Sequence, residues 1–109
     1  MKTSITLAVM SIVAAAALTA RRFVTPGGAV PAAGAWCPGV ANADYAAGET
    51  AGVVTHGVEL VEAGAAVAVG AAVQTDNAGR AITLSAGIGL GRALDEATAA
   101  GDFIRVKLS

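Results

Sequence analysis

Thr3, Ile5, Leu7, Val9, Ser11 and Val13 occupy every second position of the first stretch of the chain, and Met10 and Ile12 add apolar residues on the alternate face. A period of two with β-branched Thr3, Ile5, Thr6, Val9, Ile12 and Val13 predicts a strand, and apolar residues on both faces suit one covered on both sides. From Arg21 onward, short apolar runs alternate with turns bearing glycine, proline and asparagine, a spacing of many short strands. The pattern predicts strands over residues 22–25, 35–41, 50–56, 58–62, 67–75, 81–84, 89–94 and 103–108. "TPGGAV" (25–30) and "TDNAGRAI" (75–82) place Pro, Asp, Asn and Gly where tight reversals need a fixed or positive φ. Only "RALDEATAAG" (92–101) has helix-forming composition, and its brevity and terminal glycine suit one helical turn or a plain loop equally. The expected fold is all-β: a small β-barrel or β-sandwich of short strands with at most one short helix. Residues 1–20 are expected to form an extended N-terminal arm and residues 21–109 a single β domain.

The chain also resembles itself. "RFVTPGGAVPAAGAWCPGVANADYAAGETAGVV" (22–54) and the stretch from Ala71 to Val106 each run strand, glycine turn, strand, then "AG" and a second apolar run. Each continues through an acidic loop and "AAG", followed by Glu49 or Asp102, into a closing strand rich in valine. The offset is about 49 to 52 residues, read directly from the two strings. A duplicated β-unit packed about a pseudo-twofold axis and a chance likeness within a simple composition are both open at this point.

The stretch from Ile5 to Leu18 is uncharged and apolar behind Lys2, which supplies two of the three parts of a secretory leader. The third part is imperfect. Cleavage after Ala20 leaves Leu18 where a small residue is wanted, and Arg21-Arg22 puts positive charge directly behind the apolar run, a placement that hinders export. As a membrane helix the stretch is too short, spanning roughly 21 Å against a hydrocarbon core of about 30 Å. A retained arm is the reading adopted; a leader peptide is the alternative.

Composition narrows the class. Of 109 residues, 14% are charged, against about 25% in an average soluble domain, and the apolar 55% is mostly alanine and valine. A thinly charged surface over a small core suits a protein whose outside is buried against copies of itself or a partner. The net charge of −1, with the basic residues scattered along the chain, predicts no nucleic-acid or anionic-membrane partner. Cys37 is the one cysteine, so no internal disulfide forms, and its "AWCPG" setting predicts a small buried apolar residue.

Candidate chemistry is sparse. His56 is the only histidine and has no cysteine or second histidine at ligand spacing, nor a nucleophile motif around it. "GIGLGR" (87–92) lacks the spacing and following helix of a dinucleotide fingerprint and reads as strand glycines at a bend or close packing point. "TDNAG" (75–79) has too few carboxylates for a calcium loop. No catalytic residue, metal site, cofactor or small-molecule substrate is expected.

Taken in order, "TARRFVT", "GAVPAAGAWCPGVANADYAAGE", "GVELVEAGAAVAVGAAVQTDNAGRAI" and "GIGLGRALDEATAAGDFIRVKL" resemble the small capsid cement, or head decoration, proteins of tailed bacteriophages. The likeness covers nearly the whole chain. It implies a β-rich structural protein, made in the host cytoplasm, on the outer surface of the capsid. There it would bind the major capsid protein, bridge neighbouring subunits and associate with itself as a homotrimer. The resemblance also implies that the N-terminal stretch stays on the mature chain. Thr3, Ile5, Leu7, Val9, Ser11 and Val13 are then the candidate capsid-contact residues, on an arm whose 18 or so extended residues could reach roughly 60 Å. The alternative function is a secreted or envelope-associated bacterial β-protein with an N-terminal signal peptide.

Overall fold

The structure, a computed structural model, describes residues 4–108; Thr3, named above, lies outside them. They form β1 (Ile5–Val13), β2 (Phe23–Val24), β3 (Gly39–Ala41), β4 (Thr50–Glu62), β5 (Ala72–Thr75), β6 (Ala81–Thr83), β7 (Gly91–Ala93) and β8 (Phe103–Leu108). All pairings between these strands are antiparallel, in the order β2-β3-β4-β8-β7-β5-β6, with β1 paired to β4 off that path. The sheet curls into a nearly closed barrel. Phe23 N–H donates to the Gly79 carbonyl at 2.7 Å, and a parallel bridge joins Ala81 to Ala63, returning β6 to the far side of the sheet.

β4 is the spine. Residues 50–56 and 58–62 were expected as two strands, but the thirteen residues run on as one. Gly57 lies within it at φ 110°, and a Cβ there would fall 2.0 Å from the Ile5 carbonyl oxygen, so the close passage of β1 requires a glycine. Val53 and Val54 pair with both β3 and β1, and Gly57 and Val58 with both β8 and β1. β3 and β8 therefore follow one another along one edge of β4, and β1 takes the other. Of the predicted strand 67–75 only Ala72–Thr75 forms, because Gly70 turns at φ 84°. Among the described residues no helix forms; residues after β7 turn, held by Gly101 N–H to the Ala63 carbonyl and by an antiparallel bridge of Ala97 with Val67.

The internal likeness is a true structural repeat. Bridge Leu18–Tyr45 recurs as Val67–Ala97, and pair Phe23–Val40 recurs as Ala72–Arg92. Positive-φ residues Arg21, Gly28 and Gly48 recur as Gly70, Gly79 and Gly101. The buried set Ile12, Ala14, Leu18, Val24, Ala41, Ala51 and Val53 returns as Val61, Ala63, Val67, Val73, Ala93, Ile104 and Val106. The offset grows from 49 (Ile12 to Val61) to 53 (Val53 to Val106). Unit one comprises β1, β2, β3 and the first half of β4; unit two comprises the second half of β4 with β5, β7 and β8.

A twofold relation connects the units. Exchanging them turns the pair Ile5–Val58 into Val54–Val9, which is itself a pair. Gly34 and Gly87, equivalent by the offset of 53, lie against each other, where an added Cβ on either would come within 2.9 Å of the other's Cα. Such a self-equivalent contact is what a twofold axis carries. β6 breaks the symmetry: Ile82 continues a hairpin, whereas Pro31 at the matching place has no N–H for a ladder.

Candidate functional site

β1 is an edge strand of unusual character. One edge pairs with β4, and among the described residues no strand pairs with the other. Two opposed bulges interrupt the ladder, leaving Leu7 unpaired on β1 and Thr55 unpaired on β4. The outer face carries Ile5 (59% exposed), Leu7 (75%), Val9 (51%), Ser11 and Val13 (61%). All five described members of the candidate set thus lie exposed along one strand. Ile12 beside them is buried, and Ala14 and Leu18 follow it into the core. No charged residue and no proline stands between Ser4 and Ala20, so the bulges are the one usual edge guard that β1 carries.

The matching surface of unit two is covered. Val58, Leu60 and Glu62 stand where Val9, Ser11 and Val13 stand in unit one, and all three are half-buried. Glu62 accepts from Arg22 at 3.3 Å, and its main-chain N–H donates to the Arg21 carbonyl at 2.9 Å. Glu59, only 2% exposed, accepts from Arg21 Nη1 and from the Leu60 N–H, each at 2.8 Å. Arg21 and Arg22 of one unit thus clasp Glu59 and Glu62 of the other, and Arg80, held by Asp76 at 3.1 Å, reaches Glu62 at 3.9 Å. Sequence reasoning missed this clasp, since nothing near Glu59 in the chain announces a cation 38 residues earlier.

Residues screened for chemistry fall into structural roles. Asp76 Oδ1 accepts from the N–H groups of Ala78 and Arg80, each at 2.8 Å, which closes the "TDNAG" turn. His56 is exposed on β4 with its Nδ1 3.0 Å from Thr55 Oγ1. Cys37 is buried, and that burial pushes its thiol up to about 12. No group of three or more metal-ligating side chains occurs among the described residues. Two of the basic residues scattered in sequence meet in space: Arg92 and Lys107 are directly opposite one another on β7 and β8. The alternation Phe103, Arg105, Lys107 against Ile104, Val106, Leu108 could have placed Lys107 on the outer face; its pairing with Arg92 needed the fold.

Three comparisons bear on identity. No match was found among curated proteins. The base domain in "The crystal structure of head fiber gp8.5 N base in bacteriophage phi29" has the same fold, with a TM-score of 0.76 and 20% identity over 94% of this chain and 93% of that one. A family model described as phage cement protein matches residues 4–108. The match takes in every strand from the open edge of β1 to the end of β8, and the chain belongs to the phage cement proteins, non-enzymatic structural components of the virion at the capsid surface.

Proposed function

We propose that this protein binds the outside of the assembled phage head and stabilises it by bridging neighbouring major capsid protein subunits, with the β1 face as its contact. The observation that carries the reading is the open β1 edge, bare of charge, with Ile5, Leu7, Val9, Ser11 and Val13 exposed along it. Thr3 extends the same alternation beyond the described residues. A strand edge of a capsid subunit adding to β1 gains main-chain hydrogen bonds with little demand on sequence, and the apolar face gains burial. Binding to the assembled shell and not to its separated subunits shifts the equilibrium towards the shell by mass action. A homotrimer of this chain would engage several subunits at once, and each contact after the first would be intramolecular.

Leu7→Asp and Val9→Asp place charge on the exposed face without touching the core. Each is expected to weaken binding to purified heads by about tenfold or more while leaving the thermal midpoint near that of the parent. Head binding equal to that of the parent in both variants would refute β1 as the contact. Sedimentation of the free protein tests self-association: a trimer mass supports that part of the reading, and a monomer mass at all concentrations restricts any trimer to the shell.

A further inference from the structure

The two units share a backbone but not every side chain, and one set of differences opens a groove. In unit one Val40 on β3 pairs with Val54 on β4, both fully buried, with Phe23 beside Val40 on β2. In unit two the matching pair is Arg92 and Lys107, with Ala72 beside Arg92 on β5. The main chain is the same in both: Gly39 lies against the Val54 carbonyl as Gly91 lies against the Lys107 carbonyl, neither leaving room for a Cβ. The loop leading into Gly39 carries Trp36, whereas the loop leading into Gly91 carries Gly89 and no aromatic residue. The filling has been removed, and Ala72, Gly89, Gly91, Arg92 and Lys107 line an open groove on the outside of β5, β7 and β8.

The groove is also charged in an unusual way. Like charges directly opposite on neighbouring strands repel, so this pair does nothing for the isolated fold. Arg21, Arg22, Arg80 and Arg105 each have a carboxylate partner, whereas among the described residues none reaches Arg92 or Lys107. The one hydrogen bond of the Arg92 side chain goes to the Gly70 carbonyl, at 3.1 Å. With a net charge of −1, the pair does not come from a general excess of cations.

We infer that this groove is a second docking site, which takes an aspartate or glutamate side chain and its apolar neighbour from an exposed segment of the capsid protein. The carboxylate bridges Arg92 and Lys107, relieving their repulsion, and the apolar neighbour lies over Ala72 and Gly89, in the space that Phe23 occupies in unit one. The source of that segment rests on the cement reading; the chemistry of the groove does not.

The full chain, labelled with ¹⁵N, is titrated with acetyl-Glu-Phe-Glu-amide and followed by amide shifts. Saturable shifts are expected at Gly91, Arg92 and Lys107, with none from acetyl-Gln-Phe-Gln-amide and none in the Arg92→Glu/Lys107→Glu variant. In head binding that variant is expected to lose about tenfold or more, with an affinity that falls as salt rises in the parent and no longer does in the variant. Ala72→Phe, which refills the groove, is expected to lose binding similarly while keeping the parent's melting point. Equal shifts from the two peptides, no shifts at all, or stronger shifts from inorganic phosphate or duplex DNA would overturn the inference, as would parental head binding by the double variant. A groove that takes the acidic peptide on a protein that binds no heads would sustain the site and remove the proposed capsid bridging instead.

Discussion

Cys37 lies buried between Trp36 and Pro38, and its raised thiol has two consequences. The thiolate is the reactive form, so alkylation by iodoacetamide at pH 8 is expected only in denaturant, as mass spectrometry would record. Its titration also links to folding: a group whose value is raised on folding lends stability that is whole below its unfolded value, here 9.0, and is lost as pH climbs towards about 12. Cys37→Ala should therefore flatten the decline of the melting midpoint across that window. Arg21 is a second informative residue, because it holds φ 66° where the repeat has Gly70. Arg21→Gly relieves that conformation but leaves Glu59 buried without its guanidinium, and a net loss of about 2 kcal/mol is expected. Adding Glu59→Ala should restore part of it in a denaturant melt; a strictly additive double variant would show that the two do not interact. The buried character of Cys37 was legible from its neighbours, whereas the Arg21–Glu59 pair was not, since it spans 38 positions and depends on how two units meet.

At the level of elements, turns and alternation were legible and continuity was not. "TPGGAV" and "TDNAGRAI" turn where their glycines predict, with Gly28 at φ 82° and Gly79 at φ 84°. Gly57, read as a break between strands, instead lets β4 pass under β1, because local sequence cannot report that a second backbone crosses there. β1 is likewise more than its own pattern: its outer residues are exposed while Ile12 is 9% exposed and packs with Ala51 and Val53. Ile12→Ala is expected to cost about 2–4 kcal/mol in chemical denaturation, and Val13→Thr next to it less than about 0.5 kcal/mol. Equal costs would mean that β1 is not anchored in the core. The same packing explains why point substitutions on β1 test its contact role more cleanly than removal of residues 1–20, which would uncover Ala41, Ala51 and Val53.

At the scale of the whole molecule the repeat, visible in sequence as an offset of about fifty, organises everything else. It leaves the start of β1 near the end of β8, since Thr6 and Leu108 pair with Gly57 from opposite sides, about 10 Å apart at ordinary strand spacing. A permuted chain with Leu108 joined to Ser4 by a short glycine-serine linker and new ends between exposed Ala65 and Ala66 is expected to fold, with a β-type circular dichroism spectrum and one cooperative melt. Loss of cooperativity would show that order along the chain, and not the closed pair of units, specifies the fold. What the offset could not reveal is where the halves differ, because Phe23 against Ala72 and Val13 against Glu62 look like ordinary drift until both are seen on one backbone. Those differences give a body with twofold bones an uneven skin. Each half leaves a different flank bare, so such a molecule can seat itself in a single way, and every copy laid down on a common surface would share one heading, with the same loops turned outward.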